Sequence, residues 1–269
     1  MIVITCLSIG SCGCDSFPGS GSASSGSVPS ADGLSIHYQV WGKGEPTLVF
    51  VHGWCCDGTY WRYQVDHFKQ FHRVVTIDLA GHGLSDTGRE KWTLGAFGQD
   101  VVAVVDELGI EHMILIGHSM GGPVILEAAR RMPGRVLGLV GADTFNDFEV
   151  RYDQKRIDAF LAPMEKNFVK AVTVFVESMF GTGANPNLVD EVIRDMSSAP
   201  PDVALGSLRE YFQTDLVEAV EAVDVPIRCI NSARYPVKTE SEQKSRLLLR
   251  GYRHGEGRTL RDAGGPGHI

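Results

Sequence analysis

Positive charge is scarce where a nucleic-acid surface would need it. No Lys or Arg precedes Lys43, no cluster of them occurs before Lys244, and 25 Lys and Arg against 33 Asp and Glu leave a formal net charge of −8. Neutralising phosphates takes clustered cations, so this balance argues against a DNA or RNA partner. Long apolar runs are missing too, since nothing approaches the roughly 20 residues that a membrane-spanning helix needs. The six cysteines lack the spacing of a disulfide framework: Cys6, Cys12 and Cys14 lie near the start, Cys55 and Cys56 are adjacent, and Cys229 falls in a predicted buried strand. What is present is ordinary for a globular domain, 43% hydrophobic and 22% charged residues over 269 positions, enough for one large α/β domain or two small ones.

Residues 1–31 read as a leader followed by a tether. Positions 1–9 are mostly apolar, Gly10, Ser11 and Cys12 follow, and Ser and Gly dominate 16–30. The pattern resembles the end of a bacterial lipoprotein signal peptide with Cys12 as the lipidated residue, which implies export and membrane anchoring through that lipid. The positive n-region of such a signal is lacking. The alternative is a disordered leader on a cytoplasmic protein, and in both cases 15–30 is expected to be a flexible tether.

The most informative stretch is 113–122. Met113, Ile114, Leu115 and Ile116 run into Gly117, His118, Ser119, Met120 and Gly121, and a helical pattern with Pro123 in its first turn follows. Glycines at 117 and 121 carry no Cβ, which lets the chain turn sharply from strand to helix with Ser119 at the apex. A serine held there stands clear of the sheet at the positive end of the next helix, which suits a nucleophile.

The rest of the chain alternates strand and helix. Residues 33–41 alternate apolar and polar, 47–51 form a continuous apolar run, 60–71 read as a helix, and 73–78 as the next strand. Phe97, Val101, Val104, Val105 and Leu108 make a helical stripe over 94–108, and 135–143 and 225–231 are further buried strands. Such alternation implies a mostly parallel sheet flanked by helices. Residues 145–224 interrupt it with helices expected at 157–180 and 203–223, an insertion lying over the strand ends that lends a minority of its apolar residues to a substrate pocket.

Taken together, these motifs resemble the α/β-hydrolase fold family. The match covers about residues 34–239, within a domain spanning 32–269. His52, Gly53 and Trp54 resemble the family's oxyanion loop, which implies that the backbone N–H groups of Trp54 and Met120 hold a developing oxyanion. The run from Asp78 to Asp86 resembles its D-x-x-G-x-G-x-S turn, which implies that Asp78 and His82 brace a loop. By the same resemblance His52 fixes the oxyanion loop and His118 is a packing residue. The implied activity is serine-dependent hydrolysis of small ester-like acyl substrates, with peptidase, lactonase or non-catalytic members as alternatives and with no cofactor and no metal.

A nucleophilic serine needs a base and an orienting carboxylate. The family's usual acid position follows the strand 225–231, but Asn231 to Pro236 holds no carboxylate. Some members of the family place the acid at the end of the strand next to that of the nucleophile, and by that resemblance Asp143 is the expected acid, the alternative being a turn or helix cap for the insertion. The base is expected last, in a Gly-His turn. Residues 240–269 do not read that way: they are basic and glycine-rich, and offer only His254 and His268. Codons for 258–269 exist that, read one base later, give Gly-His-Phe-Val-Met-Leu-Glu-Asp-Pro-Gly-Thr, which resembles the family's histidine turn and last helix. The expectation is a slipped reading frame between about Thr239 and Arg250, and with it the loss of the base.

Overall fold

The computed structural model describes residues 23–181, 183–232 and 252–253. Cys12 and the leader, His254, His268 and the rest of the tail lie outside the described residues. Eight strands form one sheet: β1 Ser24–Pro29, β2 Ser35–Trp41, β3 Thr47–Val51, β4 Val74–Ile77, β5 Met113–His118, β6 Val136–Ala142, β7 Ile227–Asn231 and the short β8 Tyr252–Arg253, in the spatial order β1-β2-β4-β3-β5-β6-β7-β8. Neighbours from β4 through β8 pair in parallel, and only β1–β2 and β2–β4 are antiparallel.

Strand β1 corrects the reading of 15–30 as a tether over residues 24–29. Its Ser/Gly composition hides one anchoring side chain, Val28, which is buried, and a glycine whose lack of Cβ is required: at Gly26 the Tyr38 ring of β2 occupies the place a Cβ would take. Low hydrophobicity therefore marks an edge strand here, not a flexible one.

Helices α1 Arg62–Phe68, preceded by a 3-10 turn Gly58–Trp61, α2 Leu94–Glu107 and α3 Gly121–Ala129 flank the sheet. Thr93 caps α2 by accepting the Ala96 N–H, and the expected stripe of Phe97, Val101, Val104 and Val105 is fully buried against the sheet. The opposite face holds a smaller cluster of Leu48, Phe50, Trp61, Val65, Val74 and Ile116 under α1.

Between β6 and β7 come α4 Gln154–Lys166, α5 Phe168–Met179, α6 Pro186–Ser197, α7 Pro201–Gln213 and α8 Leu216–Glu221. The single helix expected over 157–180 is two, because Asn167 is extended and its side chain caps α5 by accepting the Lys170 N–H. Helix α6 was not foreseen, although Asn185 as cap and Pro186 in the first turn mark its start. The insertion rests on the carboxyl ends of the strands: the Trp54 indole N–H, just beyond β3, donates to the Ala204 carbonyl of α7 at 2.8 Å. No helix among the described residues is long and apolar enough to cross a membrane.

Candidate active site

Three loops at the carboxyl ends of β3, β5 and β6 carry all four non-glycine residues with positive φ among the described residues: Cys55 (55°), Ser119 (51°), Asp143 (46°) and Phe145 (59°). Such left-handed backbone is costly for a residue with a Cβ, and its concentration at strand ends marks a site that the surrounding fold holds in place. Ser119 sits where β5 passes into α3. Its N–H donates to the Ala142 carbonyl at 3.0 Å, and its own carbonyl accepts the Gly122 N–H at 2.9 Å. The flanking glycines are required by close approach: a Cβ on Gly117 would strike the Gly121 backbone, and one on Gly121 would lie 2.6 Å from the His52 carbonyl oxygen.

Ser119, Trp54 and Met120 line one cavity of about 370 Å³, closed on its far side by insertion residues including Tyr152, Phe160, Phe175 and Phe212. Among the described residues neither the Trp54 nor the Met120 backbone N–H has an acceptor. Asp143 does not line the cavity but closes the neighbouring strand end. Its N–H donates to the Ile230 carbonyl, its Oδ1 accepts the Ser232 N–H at 2.8 Å, and burial raises its pKa above the ordinary carboxylate range. The turn after β7, which lacks a carboxylate, thus has a different use: Asn231 Oδ1 accepts the Thr144 N–H at 3.0 Å and, with Ser232, fixes the Asp143 loop.

None of the described histidines near these loops is hydrogen-bonded to Ser119. His52 Nε2 accepts the Leu79 N–H at 3.0 Å, which requires the proton on Nδ1, and Nδ1 donates to the Gly53 carbonyl at 2.8 Å. Both nitrogens are occupied, and the ring locks the loop bearing Trp54 to the loop after β4. Asp78 accepts the N–H groups of Gly58 and Leu84 and meets His37 Nδ1 at 3.1 Å. His82 Nδ1 donates to the Ala80 carbonyl, while its buried Nε2 has no partner among the described residues. His118 turns to the opposite face, edge-on to Trp61 at 6.2 Å.

Burial depresses the pKa of His82 to about 3 and of His118 to about 4. In the unfolded chain both titrate near about 6.5. The unfolded state therefore binds more protons throughout the interval between, and stability present above about pH 6.5 is lost as pH falls toward 4. The melting temperature is expected to fall steadily from pH 7 to pH 4.5. A His82→Gln variant should flatten that fall, and an unchanged slope would remove His82 from the cause.

Several lining residues were invisible to sequence reasoning. Tyr152, Arg156, Ser178 and Tyr211 reach the cavity from the insertion. No motif surrounds them, and only the folded path of the insertion brings them to Ser119.

A mostly parallel sheet, a helical insertion between its sixth and seventh strands and a strained serine over a cavity at the strand ends define an α/β protein of the kind that binds its ligands there. The sequence model of the family described as alpha/beta hydrolase fold matches residues 46–215, and the chain belongs to that family. Among curated relatives, Karrikin insensitive 2 receptor CA of Petunia hybrida is 27% identical over 206 residues, covering 73% of this chain and 76% of the relative. Strigolactone esterase RMS3 of Pisum sativum is 28% identical over 218 residues, covering 77% and 80%. Among solved structures, the esterase EaEST from Exiguobacterium antarcticum superposes with a TM-score of 0.76 at 18% identity over 86% of this chain and 90% of that one. The bromoperoxidase from Bacillus anthracis does so at 0.74 and 20%, over 86% and 92%. At such identities the structural likeness speaks to the fold.

Proposed function

We propose that this chain is a serine-dependent hydrolase for ester-like acyl substrates, working through an acyl-enzyme on Ser119. The observation that carries the reading is the strained Ser119 opening onto a cavity also lined by Trp54 and Met120, whose backbone amides have no acceptor among the described residues. A histidine takes the hydroxyl proton as Oγ attacks the carbonyl carbon, and the two amides receive the charge that develops on the carbonyl oxygen. The alcohol leaves with that proton, and water then releases the acid. Asp143 orients the histidine and stabilises its cation. In the family's chain order the histidine follows the acid, which places it beyond Ser232, outside the described residues. His254 and His268 are the candidates in the chain as written, neither within the expected strand and helix, so turnover by this chain is expected to be slow.

A fluorophosphonate probe tests the nucleophile. Treatment of the full chain followed by peptide mass spectrometry is expected to place the phosphonyl group on Ser119, with no adduct on a Ser119→Ala variant. Because labelling draws on the same base as turnover, the chain read one base later after about Thr239 is treated in parallel, and prolonged exposure that leaves Ser119 unmodified in both folded chains would remove the proposal.

A further inference from the structure

Arg156 is the one charged side chain among the described residues lining the Ser119 cavity. It lies one turn into α4, and its guanidinium stacks over the Tyr152 ring at 4.9 Å from the ring centre. Tyr152 in turn meets Phe212 edge-on at 5.0 Å, and Phe212 meets Phe160 at 5.2 Å, so the cation lies beside a continuous aromatic wall. Its neighbours in the insertion are matched to carboxylates: Arg151 to Asp215 at 2.5 Å, and Arg209 to Asp158 at 2.7 Å and Glu165 at 3.2 Å. Arg156 has no carboxylate within ion-pair distance among the described residues. The nearest acid in sequence, Asp153, is engaged with the Arg156 backbone N–H as the cap of α4.

A guanidinium without a carboxylate partner has N–H groups to offer, and its fork fits a carboxylate with two parallel hydrogen bonds. Arg156 is solvent-exposed, and the aromatic wall beside it carries no counter-charge among the described residues, so an arriving anion displaces water and no protein carboxylate. In a chain of net charge −8, an unmatched arginine at the mouth of the reactive cavity is a selective feature for an anion. We infer that the cavity takes short esters bearing a carboxylate at the end remote from the scissile carbonyl, of the half-ester-of-a-dicarboxylic-acid type, with Arg156 holding that carboxylate and Ser119 facing the ester. The inference rests on Ser119 being the reacting end. The volume, near the small limit of ligand pockets, favours a chain of a few carbons between the two.

The experiment uses the full chain carrying Ser119→Ala, so that binding is read without turnover. Monomethyl adipate and its uncharged primary amide, methyl adipamate, are titrated by calorimetry. The acid is expected to bind about ten-fold more tightly than the amide, the scale of one charge-assisted contact. In Ser119→Ala/Arg156→Gln the two affinities should converge, and Arg156→Lys in the same background should retain part of the preference. Equal affinities before the arginine is changed, no binding of either ester, or a preference that survives Arg156→Gln would each overturn the inference. Fluorophosphonate labelling of the Ser119 protein separates the two readings. An arginine-dependent preference without labelling leaves an anion-binding pocket on a non-hydrolytic chain, and labelling without the preference leaves the hydrolase and removes the role of Arg156.

Discussion

A chain in which the codons after about Thr239 are read one base later is expected to hydrolyse p-nitrophenyl butyrate about 10³-fold faster than the chain as written, or more, and Ser119→Ala should erase the gain. The size follows from how a triad works: its members act as a unit, and without the base only the residual rate from oxyanion donors and binding remains. Outside the tail, Ser119 lines the cavity, the Trp54 and Met120 amides have no acceptor among the described residues, and Asp143 is fixed by Ser232. No described histidine bonds to Ser119, and His52, with one nitrogen donating and the other accepting, has no lone pair to lend.

The sheet gives a second reason for the same expectation. On the face that carries α1, cover by Trp61, Val65 and Phe68 lies over β3 and β4. Further along that face Val140 and Ala142 of β6 are only partly buried, and Ile230 of β7, paired beside Ala142, is 55% exposed. An apolar residue on a central strand is normally covered by a helix in a parallel sheet. If the gene carries the codons that permit an apolar strand and a Gly-His turn leading into a helix in the shifted reading, the melting temperature should rise together with the rate. Sequencing of the gene across this region must then reveal a frame encoding Gly-His. A restored chain that melts higher yet gains no rate would show that the histidine of that turn is not the base.

How much of this was legible beforehand depends on whether the signal was local. The strands 47–51 and 113–118, the buried stripe of α2 and the strand-to-helix turn at Ser119 are written in short-range pattern, apolar period and glycine placement, and they appear where expected. Asp143 was reached by elimination from an empty turn, but the use of that turn, Asn231 and Ser232 holding the Asp143 loop across 87 and 89 residues of sequence, was not. Strand β1 was misread because composition averages over a segment, whereas pairing needs only one buried Val and a glycine beneath a tyrosine. The cavity wall was illegible for a deeper reason. Arg156 and Tyr211 belong to helices whose amphipathic patterns report only that one face is buried, and Tyr152 lies in the irregular segment before α4, so nothing local tells which residues turn toward Ser119.

Arg89→Met is expected to destabilise the fold by about 3–5 kcal/mol, the cost of leaving a buried charge without its partner. Asp100, on α2, is fully buried, and the Arg89 guanidinium grips both its oxygens, Nη2 to Oδ1 at 2.6 Å and Nη1 to Oδ2 at 3.1 Å. The same carboxylate accepts the Ser30 hydroxyl at 2.6 Å and the Ala80 N–H at 3.2 Å, while Arg89 Nε donates to Asp32 at 2.6 Å. One ion pair therefore ties the β1–β2 turn, α2 and the loop after β4 together, and that loop carries His82 and is locked to the Trp54 loop through His52. Burial already pushes the Asp100 carboxyl above its ordinary pKa despite the arginine. Without Arg89 it rises further, so the folded state binds a proton that the unfolded state does not, and stability is lost as pH rises above the ordinary Asp range. The urea midpoint of Arg89→Met should accordingly fall more at pH 8 than at pH 5. Arg89→Met/Asp100→Asn, which removes the orphaned charge, keeps an acceptor oxygen for the Ala80 N–H and turns its amide NH2 to the Ser30 hydroxyl oxygen, should recover at least about half of the loss. A single variant as stable as the parent at pH 8, or a double variant weaker than the single, would mean that the pair does not hold these three segments.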